Sequence, residues 1–290
     1  MIDRYLLRYF LSVIDQGNFS KAAAACNVSQ PTLSVGIAKL EREMGRALFH
    51  RTNRRVELTE AGVRLAAHAR RIEAEFAIAE REVRGTTRQP LVRLGLLPTL
   101  PGEWIEDFLA RLDPGGERVE LVEGRERDLI ERLARGRIEV ALTLIRPDQH
   151  RFAADPLFRE GYALALPASH PLARREEIAA EELADNTMIV RRQCEMLAET
   201  SRHFTARGVR PFFAARTTSD ERALALVRAG LGITVMPERF RAEGVARPRL
   251  ANFTSEREVG LLYASHVDPA QLRAGGVLQA LTAAVAAAAR

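Results

Sequence analysis

The chain has 290 residues, 47% of them hydrophobic and 28% charged, with a net charge of +5. That suits about two domains with buried cores and excludes wholesale disorder. No apolar run approaches the ~20 residues of a membrane span. Met1–Tyr5 lacks a signal-peptide layout, and two distant cysteines, Cys26 and Cys194, without CxxC or paired-His spacing, argue against a disulfide framework or zinc site.

Tyr5 to Gln16 carries Leu6, Leu7, Phe10, Leu11 and Ile14 at helical spacing. Gly17 and Asn18 stop it. Ser20 is the expected cap of a second, alanine-rich helix, Lys21 to Cys26. After the corner Asn27-Val28-Ser29, Ser29 caps a third helix with Pro31 in its first turn. Leu33, Ile37 and Leu40 form its apolar face, and Gly45 ends it. Val56 and Leu58 then alternate with polar residues as a short strand does, behind a turn holding Arg51, Asn53, Arg54 and Arg55. A helix trio followed by a basic hairpin predicts an all-α winged helix-turn-helix. Residues 1–58 carry nine Lys and Arg against five acids, so most of the positive surplus sits at this end and favours a nucleic-acid partner.

From Thr59, a cap, to Arg84 the pattern predicts one long helix of roughly 39 Å. Leu65, Ala69, Ile72, Phe76, Ala79 and Val83 form a narrow stripe that reads as a seam for another copy, with docking on its own domain as the alternative. "RGTTRQP", 84–90, is a breaking linker. Beyond it, strands are expected at Leu91–Leu96, Arg118–Val122, Val140–Leu144, Tyr162–Leu166, Thr187–Val190, Phe212–Arg216, Ile233–Met236 and Val259–Ala264. Helices are expected at Gly102–Arg111, Asp128–Leu133, Met196–Arg207, Asp220–Ala229 and Pro269–Ala289. The opening β-α-β-α-β run predicts a parallel sheet, and the whole predicts two α/β lobes with a ligand cleft between them.

"FSKAAAACNVSQPTLSVGIAKLEREMGRALFHRTNRRVELTEAG", Phe19 to Gly62, closely resembles the DNA-binding module of LysR-type transcriptional regulators. The likeness runs through Ala22-Ala23, Val28-Ser29-Gln30-Pro31, Ser34, Ile37, Leu40-Glu41, Gly45, Leu48-Phe49, Arg51 and Leu58–Gly62 in register. "VRAGLGITVMP", Val227 to Pro237, is similar to the "AGxGIxxxP" stretch of that family's effector domain. The resemblance implies a DNA-binding domain over 1–58, a linker and dimerisation helix with hinge over 59–90, and a periplasmic-binding-protein-like effector domain over 91–290. Lobe I is expected at about 91–161 and 268–290, lobe II at about 162–267. It further implies a cytoplasmic homo-oligomer, usually a tetramer built as a dimer of dimers, that binds double-stranded promoter DNA and a small effector. RNA polymerase is a further partner it allows; no membrane, metal or cofactor is implied.

A recognition helix presents its first turns to the major groove, here Gln30, Pro31, Thr32, Ser34 and Val35. Gln30 suits adenine, and Pro31 or Thr32 a thymine methyl. Ser20, Ser29 and Lys39 suit phosphate, and Arg51, Asn53, Arg54 and Arg55 of the wing suit phosphate or the minor groove. Val35 and Gly36 stand where the family usually has polar residues, which marks a departure in readout. Cys26, in place of a usual leucine, reads as a small buried hydrophobe.

By position, the resemblance places the effector site at Pro98, Thr99 and Leu100, at Thr143, Leu144 and Ile145, at Arg191, Arg192, Gln193 and Cys194, and at Thr218 and Ser219. With arginines and helix N-termini there, a small carboxylate is the expected effector. The alternative is that Arg191 and Arg192 face solvent or pair with Glu195 and Glu199. Cys194 also stands about where peroxide-sensing members carry a reactive cysteine, and a helix N-terminus with arginines is expected to lower its pKa. His203 and Phe204 occupy the region of the usual resolving cysteine, so only a one-cysteine sensor fits. Among other classes, an enzyme lacks GxSxG and GxGxxG support and has no catalytic residues to name. A small-molecule-binding protein with an accessory helical module would need export.

Overall fold

The computed structural model describes residues 2–50, 56–84 and 89–288. Three helices, α1 (Arg4–Gln16), α2 (Phe19–Ala25) and α3 (Gln30–Met44), close around Leu6, Phe10, Ala22, Leu33, Ile37 and Leu40. The cap of α2 is Asn18, not Ser20: its Oδ1 accepts from the N–H groups of Ser20 (2.8 Å) and Lys21 (3.0 Å). Ser20 itself lies in the first helical turn, because the side chain two residues upstream reaches both free donors first.

Two short strands, β1 (Phe49–His50) and β2 (Glu57–Leu58), pair antiparallel and form the base of the wing. Arg51, Asn53, Arg54 and Arg55 lie outside the described residues. Thr59 Oγ1 then accepts from Gly62 N–H (3.0 Å) and opens α4 (Glu60–Arg84). Any side chain at Gly62 would strike the Leu48 carbonyl, 2.2 Å from an ideal Cβ, so this turn seats directly on the strand.

The apolar stripe of α4 divides. Ala66 and Ala69 pack into the core of the first three helices, while Ile72, Phe76 and Val83 stay exposed, Val83 by 88%. Arg4 ties α1 to α4, through Glu73 (2.9 Å) and by standing 4.2 Å over the Phe76 ring. The docking reading thus holds for the first half of the helix, and the second half presents the rest of the stripe to solvent.

The first lobe contains β3 (Leu91–Leu96), α5 (Gly102–Ala110), β4 (Arg118–Glu123), α6 (Glu126–Ala134), β5 (Val140–Leu144) and β6 (Ala153–Glu160). The second contains β7 (Tyr162–Pro167), β8 (Glu177–Ile178), β9 (Met188–Arg191), α7 (Leu197–Ala206), β10 (Phe213–Thr217), α8 (Asp220–Arg228), β11 (Thr234–Pro237), β12 (Val245–Ala246) and β13 (Arg249–Leu250). The chain then returns through β14 (Arg257–Tyr263) to α9 (Pro269–Ala274) and α10 (Gly276–Ala288).

The sheet order in lobe I is β4-β3-β5-β14-β6. The pairs β3–β4 and β3–β5 are parallel, as the repeat of strand and helix requires, but β14 runs antiparallel to both β5 and β6. This corrects the expected boundary: the strand assigned to lobe II, through residue 267, belongs to lobe I. β14 is buried on both faces and can only sit inside a sheet. The terminal helix also breaks at Gly275, where Glu117 Oε2 accepts from Val277 N–H (3.0 Å) and starts α10.

In lobe II, β7 is central, pairing antiparallel with β11, β12 and β13. The parallel pair β9–β10 attaches through a bridge between Met188 and Ile233. Two crossings therefore join the lobes, at Gly161 and between Leu250 and Arg257.

Candidate DNA interface and effector site

The N-terminus of α3 is the exposed corner of the first domain. Ser29 Oγ accepts from Thr32 N–H (3.2 Å) and shares a hydrogen bond with Thr32 Oγ1 (2.7 Å). Gln30 Nε2 donates to Ser34 Oγ (2.9 Å), one turn on. These contacts fix the first turn while Gln30, Pro31, Thr32 and Val35 stay open to solvent, Val35 by 67%. A large apolar side chain exposed beside a polar amide and a hydroxyl suits a groove edge with thymine methyls. Ser20 is exposed on α2.

Two neighbouring positions, Gly36 and Lys39, make contacts within the domain. Gly36 is buried, and an ideal Cβ there would lie 2.7 Å from the Tyr9 ring, so this position serves helix packing rather than readout. Lys39 Nζ lies 3.2 Å from Asp3 Oδ2 and 3.4 Å from the Tyr5 hydroxyl, so its charge is already engaged inside the domain.

The two lobes meet on a buried polar cluster. Glu195, just before α7, points its carboxylate across the junction. Its Oε1 accepts from the Tyr162 hydroxyl (2.6 Å) and from Arg257 Nη1 (2.6 Å). Its Oε2 accepts from Thr99 Oγ1 (3.2 Å), which itself accepts from Arg257 Nη1 (2.9 Å). Arg257 also donates to the Thr99 carbonyl (2.9 Å) and, from Nε and Nη2, to Glu160 Oε1 (2.9 and 2.7 Å). The Arg257, Glu160 and Glu195 side chains are only 2%, 2% and 8% exposed. Burial alone would push the Glu195 carboxyl up, but Arg257 and the Tyr162 hydroxyl hold it below the usual carboxylate range. Thr99 thus has a carboxylate of the chain itself, Glu195, as its partner.

The remaining expected effector residues divide. Arg191 is buried, but its guanidinium forks onto the Asp220 carboxylate, with Nε 2.6 Å from Oδ1 and Nη2 on Oδ2. Its Nη1 donates to the Val235 carbonyl (3.0 Å). It is neither solvent-facing, nor paired with Glu195 or Glu199, nor free for an incoming anion. Arg192 is exposed. Ser219 Oγ caps α8, accepting from Arg222 N–H (3.2 Å), and Thr218 is exposed. Leu100 and Leu144 pack into the lobe I core, and Pro98 is half-buried. Thr143 Oγ1 and Gln193 Oε1 are buried without a hydrogen-bond partner among the described residues. A cleft of about 280 Å3, lined by Leu144, Ile145, Arg146, Arg159 and Arg257 among others, opens beside the cluster.

Cys194 Sγ lies 3.4 Å from Arg191 Nη1. Burial nevertheless pushes its thiol up, outweighing the arginine, so the expected lowering does not occur. The helix begins only at Leu197, which leaves the sulfur off its N-terminal turn. Sequence reasoning missed Glu160, Tyr162, Asp220 and Arg257. Asp220 was legible as a helix-opening acid; the others are single polar residues in strands, without spacing to mark them.

An exposed recognition helix on a winged-helix module, carried by a long helix onto a two-lobed α/β domain with a polar junction, defines a ligand-responsive type of DNA-binding regulator. Residues 5–63 match the family described as "Bacterial regulatory helix-turn-helix protein, lysR family", and residues 85–283 match "LysR substrate binding domain". The chain belongs to the LysR family of transcriptional regulators, whose members are regulators and not enzymes. It is 30% identical over 268 residues to the hydrogen peroxide-inducible genes activator of Dickeya chrysanthemi, covering 89% of this chain and 88% of that one. The likeness to the DNA-binding transcriptional dual regulator OxyR of Escherichia coli K12 has the same identity and coverage. Among solved structures, ArgP from Mycobacterium tuberculosis superimposes with a TM-score of 0.73 at 18% identity, covering 98% of both chains. Full-length OxyR from Pseudomonas aeruginosa gives 0.66 at 20%, covering 98% and 95%. At these identities the structural matches speak for the fold. Among the described residues, no helix is long and apolar enough to cross a membrane.

Proposed function

We propose that this regulator senses a small carboxylate that exchanges with the Glu195 side chain at the lobe junction, and that the exchange alters promoter binding. The carrying observation is the charge balance of that junction. Two buried carboxylates, Glu160 and Glu195, face one guanidinium, Arg257. A further anion entering beside them meets net negative charge in a low-dielectric site, which opposes binding. An anion that replaces Glu195 instead inherits three donors, from Thr99, Tyr162 and Arg257. Since Glu195 belongs to lobe II while Thr99 and Arg257 belong to lobe I, exchange loosens one lobe from the other.

The same reading has a cytoplasmic homotetramer joined through the exposed half of α4, acting with RNA polymerase at the promoter. Gln30, Pro31, Thr32, Ser34 and Val35 read base edges, and Ser20, Ser29, Arg51, Asn53, Arg54 and Arg55 hold phosphate or the minor groove.

The test uses fluorescence anisotropy on duplex DNA from upstream of the protein's own gene, at low salt, with wild type and Glu195→Ala. Millimolar acetate is expected to change the DNA affinity of Glu195→Ala severalfold, and not that of Glu195→Ala/Thr99→Val. An affinity unmoved by Glu195→Ala and by acetate removes the exchange reading. Failure to bind DNA at all, or binding that ignores salt, would count against the promoter assignment instead.

A second reading rests on Cys194 beside the Arg191 guanidinium and on the peroxide-inducible relatives. In it, the thiolate attacks one oxygen of peroxide, the O–O bond breaks and the other oxygen leaves as hydroxide, giving a sulfenic acid; a small thiol then displaces water to form a mixed disulfide, and a second such thiol restores the cysteine. A peroxide response that survives Cys194→Ser eliminates it.

A further inference from the structure

Lobe I and the DNA-binding module share an open groove of about 430 Å3. The base of the wing supplies one wall, through Phe49, Val56 and Leu58, and α6 supplies the other, through Arg127, Ile130 and Ala134. On α6 these residues recur at three- and four-residue steps, so one face of the helix looks onto the wing base. The walls are held in register by the end of α1, where Arg137 Nη2 of lobe I donates to the carbonyls of Ile14 (2.8 Å) and Asp15 (2.6 Å).

The charges along this groove are unevenly matched. Arg135 is taken by Glu131 (2.5 Å). Arg127 and Arg151 are exposed, and among the described residues neither has a carboxylate partner. Arg151 rests 4.7 Å from the Phe152 ring. Glu57 is the other acid of the lining, so two guanidinium groups face one carboxylate. They stand beside a strand pair whose connecting residues, 51–55, read Arg-Thr-Asn-Arg-Arg. Basic residues thus continue from the wing sequence onto the effector domain. Exposed cations hold a small anion poorly, because water and salt screen them. A polyanion gains from the same cations by releasing its condensed counterions.

We propose that lobe I carries a second DNA-contacting surface, on which Arg127 and Arg151 hold backbone phosphates of the duplex just beyond the stretch covered by the wing. The proposal rests on the wing reading of Arg51, Arg54 and Arg55 and extends it. This surface reads no base, because phosphate contacts carry no direct sequence information. It makes the effector domain itself a contributor to DNA affinity, so a shift of lobe I against α1 moves two phosphate contacts at once.

The test uses the full-length protein on duplex DNA from upstream of its own gene, with hydroxyl-radical footprinting and anisotropy titrations at several salt concentrations. Arg127→Gln/Arg151→Gln, altered only at exposed positions, loses the outermost protections of the wild-type footprint and keeps the inner ones. Its affinity falls severalfold, and the slope of log affinity against log salt becomes shallower by about two for each DNA-bound subunit. Arg127→Lys/Arg151→Lys keeps both charges and stays near the wild-type slope, which separates lost charge from damaged folding. A footprint and salt slope unchanged in the glutamine variant overturn the proposal, and so does an affinity that rises. Arg54→Gln/Arg55→Gln is scored separately, by loss of the protections next to the recognition helix. If those persist, the wing reading fails, whereas the outermost protections report on lobe I alone.

Discussion

Arg257 and Glu195 meet at 2.6 Å across the boundary between the lobes, with both side chains almost wholly shielded from water. Breaking one side of a buried pair typically costs about 3–5 kcal/mol, because the surviving charge is stranded. Arg257→Met leaves Glu160 and Glu195 facing each other and is expected to lose stability of that order. Glu195→Gln, which keeps an acceptor, is expected to lose less, about 1–3 kcal/mol. Urea unfolding monitored by circular dichroism checks the ranking, and an Arg257→Met protein as stable as Glu195→Gln refutes it. Because the Glu195 carboxyl sits below its ordinary value in the fold, its contribution is full above the unfolded pKa. It is lost as pH falls through the folded one.

Helix α3 gives adjacent positions opposite surroundings. Val35 is exposed and Gly36 lies against Tyr9. Val35→Arg is expected to shift the preferred DNA sequence in a selection experiment with little change in melting temperature. Gly36→Ala is expected to cost about 1–3 kcal/mol by overpacking. Should Gly36→Ala melt as wild type does, the half-buried Tyr9 gives way more freely than its contact with Gly36 suggests.

His266 provides a pH signature. Burial, then the nearby Arg70, Arg71 and Arg93, push its imidazole down to about 4. An unfolded histidine titrates near 6.5, so the unfolded chain binds the proton first. Stability is therefore full above pH 6.5 and falls as the pH drops toward 4, by up to roughly 3 kcal/mol from this group. His266→Gln is expected to flatten that part of the stability profile, as read by denaturant midpoints at several pH values.

Cys194 is expected to alkylate slowly near neutral pH, since burial favours the protonated thiol. Mass spectrometry after timed iodoacetamide exposure measures this, with glutathione as the reference thiol. A rate above that of glutathione at pH 7 would contradict the buried-thiol geometry and strengthen the redox reading.

The exposed half of α4 gives an assembly prediction. Ile72→Glu/Val83→Glu is expected to lower the oligomeric order in sedimentation while leaving the fold intact, because neither side chain belongs to a core cluster.

Much of this architecture could be read from the chain alone, for identifiable reasons. Helix α3 announced itself through the Ser29 cap, Pro31 and the spacing of Leu33, Ile37 and Leu40, all local signals. The cap of α2 was misplaced by two residues because Asn18 and Ser20 are both good caps, and only geometry decides between them. The sheet membership of β14 depends on pairing with strands a hundred residues upstream, which no local pattern encodes. Gly36 looked like part of a reading face because helix periodicity cannot show that Tyr9 closes over it. The junction was half legible. Thr99 was singled out by position, but it bonds Glu195 and Arg257, which in turn hold Tyr162 and Glu160, and that meeting is a property of the folded lobes. Arg191 looked available because its neutralising acid, Asp220, lies 29 residues away.

The first helix ends against the effector domain. Arg137 of lobe I donates from Nη2 to the carbonyls of Ile14 (2.8 Å) and Asp15 (2.6 Å), the last turn of α1. Arg70 of α4 completes the bracket, holding the Asp15 carboxylate and the Arg135 carbonyl. A rotation of lobe I against α1 would have to break or carry along these guanidinium contacts, which run independently of the covalent connection at 85–90. The spacing between the two halves of the protein becomes a matter of mechanical leverage rather than of tether length. Insertions in that connection should thus be tolerated far better than a single change at Arg137.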